Sequence, residues 1–294
     1  GPIRLVPLAA AGKASGGEEP ESEDRPDGDG LSGVDSRSGV PSRGLMMDST
    51  LLPATPLSAA ERQGVYRAIF SRRDTRGEFL PDPVPDEVLS RILVAAHHAP
   101  SVGFMQPWSF VIVRDAAVRR RVHDAFVTAH AEAALMFPEE QRETYRSLKL
   151  EGIMDAPVNI CITCDRDRAG PVVIGRTHIR TMDLYSSVCA VQNLWLAARA
   201  EGLGVGWVSI FDNATVQDAL NIPKGILPVA YLCVGKVKGY HPRPELETAG
   251  WRPRLPINDL IHVDQWGERG DEDALRERLR DDQNAVGRGE ILAE

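Results

Sequence analysis

Little in this chain points to a polyanion, a membrane or a metal. Acidic residues outnumber basic ones, 42 against 34, for a net charge of −8. That balance argues against a nucleic-acid or anionic-membrane surface as the main partner. No uninterrupted apolar run approaches the ~20 residues a spanning helix needs. Ile3 to Ala11 is too short and too poorly flanked for a secretory leader, so a cytoplasmic location is expected. Cysteine is scarce at four residues. Cys161 and Cys164 form a C-x-x-C, but no second such pair completes a tetrahedral site. They fall in the β-branched run Pro157 to Cys164, which reads as a strand. Residues three apart on a strand point to opposite faces, so the thiols diverge. Free buried thiols and no bound metal are expected. Internal repeats are absent.

Large apolar residues are sparse between Gly12 and Gly44, where glycine, serine, proline and acids dominate, and Glu18 to Asp29 holds seven acids against Arg25 alone. Such a segment buries too little apolar surface to offset its conformational entropy. Residues 1–57 are therefore expected to be a disordered extension, 58–266 a folded domain and 267–294 a charged tail. The rest has ordinary globular composition, 43% hydrophobic and 26% charged.

Order is expected to begin at Ser58-Ala59-Ala60-Glu61, a capping-box pattern opening a helix with Val65, Ile69 and Phe70. A second helix starts at Pro85 with an apolar face through Val88, Leu89, Ile92, Leu93 and Ala96. Phe110 to Val113 reads as a buried strand, and 116–152 as helix broken at Phe137-Pro138. A long apolar helix runs from Arg180 to Glu201 and stops at Gly202. Strands follow at Gly206 to Ile210 and Val229 to Val234, and a short helix is expected at Glu272 to Arg280. Helices between most strands indicate an α+β layout with one central sheet covered by helices.

Two segments carry candidate chemistry. Arg72-Arg73-Asp74-Thr75-Arg76 gathers three guanidinium groups around one carboxylate. Arginine meets phosphate through a planar fork, so the cluster in an acidic chain points to a small anionic ligand. Ala99 to Trp108 is a loop with Ser101, Gly103, Met105 and Gln106, where backbone N–H groups have room to approach a flat ligand. Packing accounts better for Trp108. Adjacent His97 and His98 diverge by about a hundred degrees on a helix and are expected to be structural. Asp183 and Asn193 interrupt an apolar helix face and receive no chemistry.

The segments Arg72 to Phe79, His97 to Trp108, Gly204 to Asp212 and Gly250 to Pro256, in that order, resemble the flavin-binding blocks of the nitroreductase superfamily. Within it they resemble most the 5,6-dimethylbenzimidazole synthase (BluB) branch. The resemblance covers about residues 58 to 262. It implies a mainly antiparallel sheet and an intertwined homodimer with FMN at the interface. It assigns FMN binding to Arg72, Arg73, Arg76, Ser101, Gly103, Met105, Gln106 and Arg252 or Arg254, and catalysis to Asp74 and Ser209. The reaction implied is O2-dependent fragmentation of reduced FMN to 5,6-dimethylbenzimidazole and erythrose 4-phosphate. A separate flavin reductase would supply the reduced FMN, and the segment 136–150 would cover the site. Two other readings stay open: an NAD(P)H-dependent nitroreductase or flavin reductase, and a non-catalytic flavin-binding protein. No Gly-rich dinucleotide fingerprint is present, so NAD(P)H would have to bind loosely over the flavin.

Overall fold

Alternation along two central strands divides the core between two sheet faces. A computed structural model describes residues 54–290, and the expectation for the extension falls almost wholly outside that range. In β2 (Val158–Asp165) and β4 (Ile226–Lys236), Ile160, Ile162, Ala230, Leu232 and Val234 join one buried cluster. Their neighbours Cys161, Tyr231 and Cys233 join the other. The first cluster is covered by α2 (Asp86–His97) and α5 (Met182–Ala200), the second by α3 (Ala116–Met136) and α6 (Asn213–Leu220). With β1 (Trp108–Val113) and β3 (Leu203–Val208) the sheet has the order β1-β2-β4-β3, antiparallel throughout. This is the expected α+β architecture.

Several boundaries differ from the sequence reading. β1 lies at the sheet edge, and Ile112 is exposed rather than buried, because only β2 pairs with it. β3 begins at Leu203 and ends at Val208, so Ser209 lies one residue beyond it. The 116–152 stretch breaks where expected, but α4 covers only Glu139–Ser147. Near the C-terminus α8 spans Asp273–Gly287 and is tied to the preceding turn, where the Gln283 side chain bonds the Ile257 N–H and the Leu255 carbonyl. A four-residue helix, α7 (Glu245–Thr248), precedes that turn.

The first helix, α1 (Ala59–Ser71), has the expected capping box, with Ser58 and Glu61 exchanging hydrogen bonds. It has no buried residue, and Val65, Tyr66 and Ile69 are exposed. Among the described residues no helix is long and apolar enough to cross a membrane.

Candidate functional site

Two glycines in β3 place the carboxylate. Beyond α1 the chain lies along the sheet edge, with Asp74 bridged to Val205 and the Thr75 N–H donating to the Val205 carbonyl at 2.9 Å. A Cβ on Gly206 would overlap the Thr75 carbonyl, and one on Gly204 would overlap Val237 and crowd the Thr75 side chain. The bare backbone at 204 and 206 is what lets this strap approach so closely. Thr75 is buried as a result. Asp74 Oδ1 accepts the Trp207 N–H at 2.9 Å, and Oδ2 accepts Arg76 at 2.6 Å. A carboxylate held at both oxygens has one orientation.

The arginines of the motif separate into two roles. Arg76 pairs with Asp74 and lies 4.0 Å from Glu245. Arg73 is anchored by backbone carbonyls, donating to Phe70 at 2.9 Å, Arg72 at 2.7 Å and Pro242 at 2.5 Å. Burial lowers its pKa first, and the charges of Arg254, Arg72 and Arg199 lower it further. Arg72 lies over the Trp195 ring, 5.2 Å from its centroid. The Nε atoms of Arg72 and Arg73 are buried without a hydrogen-bond partner. Among the described residues, none of Arg72, Arg73, Arg199 and Arg254 is within ion-pair distance of a carboxylate. Three of these four arginines, Arg72, Arg73 and Arg199, have a buried Nε without a hydrogen-bond partner, and the charge of Glu247 opposes the three cations acting on Arg73. Such a cluster can hold an anion. A phosphate group fits it. Arg252 and Arg254 are both exposed, and of the two Arg254 is the charge that acts on Arg73.

The Ala99 to Trp108 loop is held by its own chain. Ser101 Oγ accepts the Gln106 N–H at 3.1 Å, and Ser186 Oγ of α5 accepts the Val102 N–H at 3.0 Å. Arg168 donates to the Gln106 carbonyl at 2.7 Å, and the Gln106 amide donates to the Phe104 carbonyl at 3.3 Å. Met105 is buried. Gly103 has φ 52°, and a Cβ there would strike Val173 and Ile174, which is a packing reason for the glycine. Ser186 and Trp195 lie nine residues apart on α5, about 13 Å along its axis. A single chain thus keeps the loop and the arginines at different ends of that helix and does not bring these expected residues together.

The histidines are structural, as expected: His97 accepts from the Trp108 indole at 3.1 Å, and His98 bonds the Val94 carbonyl at 2.8 Å. The thiols of Cys161 and Cys164 are free and buried, and burial pushes Cys161 up to about 12. Asp183 is fully buried between Arg166 and Arg176, and Asn193 donates to the Ala95 carbonyl. Sequence reading missed Trp207, Trp195, Arg199 and Glu245, all remote in sequence from the motif they touch. It also missed a grouping of Glu78, His241 and Glu245, whose possible metal-ligating atoms lie within 4.8 Å of one another. His241 Nε2 bonds Glu78 at 3.0 Å there.

The model of the nitroreductase family matches residues 69–236. A 5,6-dimethylbenzimidazole synthase of Rhodospirillum rubrum is 44% identical over 195 residues, 66% of this chain and 92% of that protein. One from Rhodobacter capsulatus is 40% identical, over 66% of this chain and 94% of that protein. Among solved structures, an iodotyrosine deiodinase bound to FMN and 3-iodo-L-tyrosine superposes with TM-score 0.54 at 20% identity, covering 69% of this chain and 98% of that one. The NADPH:FMN oxidoreductase of Vibrio harveyi, complexed with NAD+, gives 0.52 at 21% identity, covering 76% and 86%. These two likenesses speak to the fold. With the family model spanning more than half of its length and relatives matched almost end to end, the chain belongs to the nitroreductase family.

Proposed function

We propose that this protein is a 5,6-dimethylbenzimidazole synthase that consumes reduced FMN and O2, releasing erythrose 4-phosphate as the sugar fragment. The observation that carries this reading is the set of four unpaired arginines beside a doubly anchored Asp74. The names of the relatives supply the product class. The orphaned Nε atoms of Arg72 and Arg73 fit a terminal phosphate group.

Reduced FMN supplies the electrons and the dimethylbenzene ring that is retained in the product. Arg72, Arg73 and Arg254 grip the phosphate, and that binding energy orients the remainder of the molecule. Asp74 accepts and returns protons, its orientation set by the Trp207 N–H and Arg76. Ser209, two residues beyond Trp207, orients the substrate. Residues 136–150 act as a cover that excludes water. Phe137 and Tyr145 of that segment pack on Trp251, next to Arg252 and Arg254, with ring centroids 5.3 and 6.4 Å away. A second copy of the chain completes the site by bringing its Ser101 to Gln106 loop to these arginines. The bare apolar face of α1 and the exposed Tyr185 and Val188 on α5 support such a homodimer. A separate flavin reductase in the cytoplasm delivers the reduced FMN.

Asp74→Asn tests the assignment. The variant should bind FMN about as well as the unaltered protein yet yield at least about 100-fold less benzimidazole, the scale of a lost acid–base group. Equal yields would remove Asp74 from the chemistry. Steady NAD(P)H oxidation with a nitroaromatic compound, without benzimidazole, would replace the reading by that of a nitroreductase.

A further inference from the structure

One cation of the anion site comes from outside every sequence motif discussed above. Arg199 stands in the last turn of α5, its guanidinium carbon 4.1 Å from the centroid of the Tyr240 ring. A cation held over an aromatic face keeps its N–H edge free for a ligand. Its Nε is buried with no hydrogen-bond partner. A helix C-terminus favours a cation in its last turn. That preference does not account for its position. Arg199 lies one turn beyond Trp195 on α5, the ring over which Arg72 lies and whose indole N–H donates to the Arg73 carbonyl, so it stands beside the motif arginines. The site therefore gathers four positive charges and leaves the Nε donors of Arg72, Arg73 and Arg199 unused. A ligand with high negative charge and several acceptor oxygens answers both features, and a phosphate monoester has −1.5 to −2 charges and three such oxygens.

We propose that Arg199, seated on Tyr240, is a further phosphate ligand and makes the site select a flavin bearing a terminal phosphate monoester over riboflavin. This rests on the flavin reading above and adds to it the residue that discriminates. Riboflavin has no charge at that end and leaves the excess of four guanidinium groups over the single nearby Glu247 without a counter-charge.

The test is titration of oxidised FMN and of riboflavin into the full-length protein and into Arg199→Gln, Arg199→Lys, Tyr240→Phe and Tyr240→Leu, each at low and high salt. Arg199→Gln should weaken FMN by roughly 10–100-fold, the range for one lost charge-assisted hydrogen bond, and leave riboflavin unchanged. Its FMN affinity should also depend less steeply on salt. Arg199→Lys should recover part of the loss by charge alone. Tyr240→Phe should retain binding, and Tyr240→Leu should weaken FMN selectively. An unaltered FMN-to-riboflavin ratio in Arg199→Gln overturns the proposal, as does equal loss of both flavins, which marks a structural arginine. If the unaltered protein binds neither flavin, the proposed function fails, and inorganic phosphate then judges Arg199 separately. Phosphate binding lost in Arg199→Gln upholds its role, and binding that is absent or unchanged rejects it.

Discussion

Asp74 has few ways to turn. One oxygen is held by a backbone N–H and the other by Arg76, which also lies near Glu245. Burial, followed by the nearby charge of Glu78 and then Asp74, raises the pKa of Glu245 above its ordinary 4.5, against the pull of Arg76 and His241. The folded chain thus holds this proton more tightly than the unfolded chain. The stability it contributes is full below about 4.5 and is lost as pH rises through the higher folded value. Glu245→Gln keeps the neutral form at every pH. Its melting temperature should gain on that of the unaltered protein between pH 4 and 7, by up to about 2 °C for a group this exposed to solvent. A difference that stays flat across this range would contradict the assignment. At this scale Arg72, Arg73 and Asp74 were legible because they are contiguous. Arg199, Trp207 and Glu245 were not, because chain topology delivers each of them from more than a hundred residues away. The pairing of Arg76 with Asp74 was hidden for a different reason, since composition cannot say which of three arginines meets a carboxylate.

The element that positions the site is β3, and its contribution is the absence of side chains. Gly206→Ala would push a methyl group into the Thr75 carbonyl, and neither backbone has slack in a paired strand. The expected cost is about 1–3 kcal/mol, the usual range for overpacking, with a fall in melting temperature of about 2–4 °C for each kcal/mol. FMN binding should weaken too, because the displaced strap contains Arg73 and Asp74. Unchanged stability and binding, measured by thermal unfolding and titration, would show that the close approach does not matter. Strand type was readable from β-branched content, as in Pro157 to Cys164, and helix type from apolar spacing, as in Val88, Leu89, Ile92 and Leu93. The edge position of β1 was not, since Phe110 to Val113 has the same residue types as a central strand. The exposure of Val65 and Ile69 on α1 was not legible either, because apolar residues mark a face to be covered without saying what covers it.

At the scale of the whole molecule, that uncovered face and the separation along α5 lead to the same expectation. On the proposed reading, the loop with Ser101 and Gln106 and the cluster around Arg73 serve one ligand with two chains contributing. Sedimentation should therefore give a dimer. Val65→Glu with Ile69→Glu should yield a monomer whose FMN affinity falls at least about tenfold, given the loss of half of the ligand's surroundings. A monomer that binds FMN normally would place the whole site within one chain. The central claim, that the flavin is consumed rather than recycled, has a direct measurement. The protein is mixed anaerobically with photoreduced FMN, air is admitted, and the products are separated and identified by mass. The account predicts 5,6-dimethylbenzimidazole in proportion to the FMN lost, together with a four-carbon sugar phosphate. Quantitative return of oxidised FMN with no benzimidazole would contradict it.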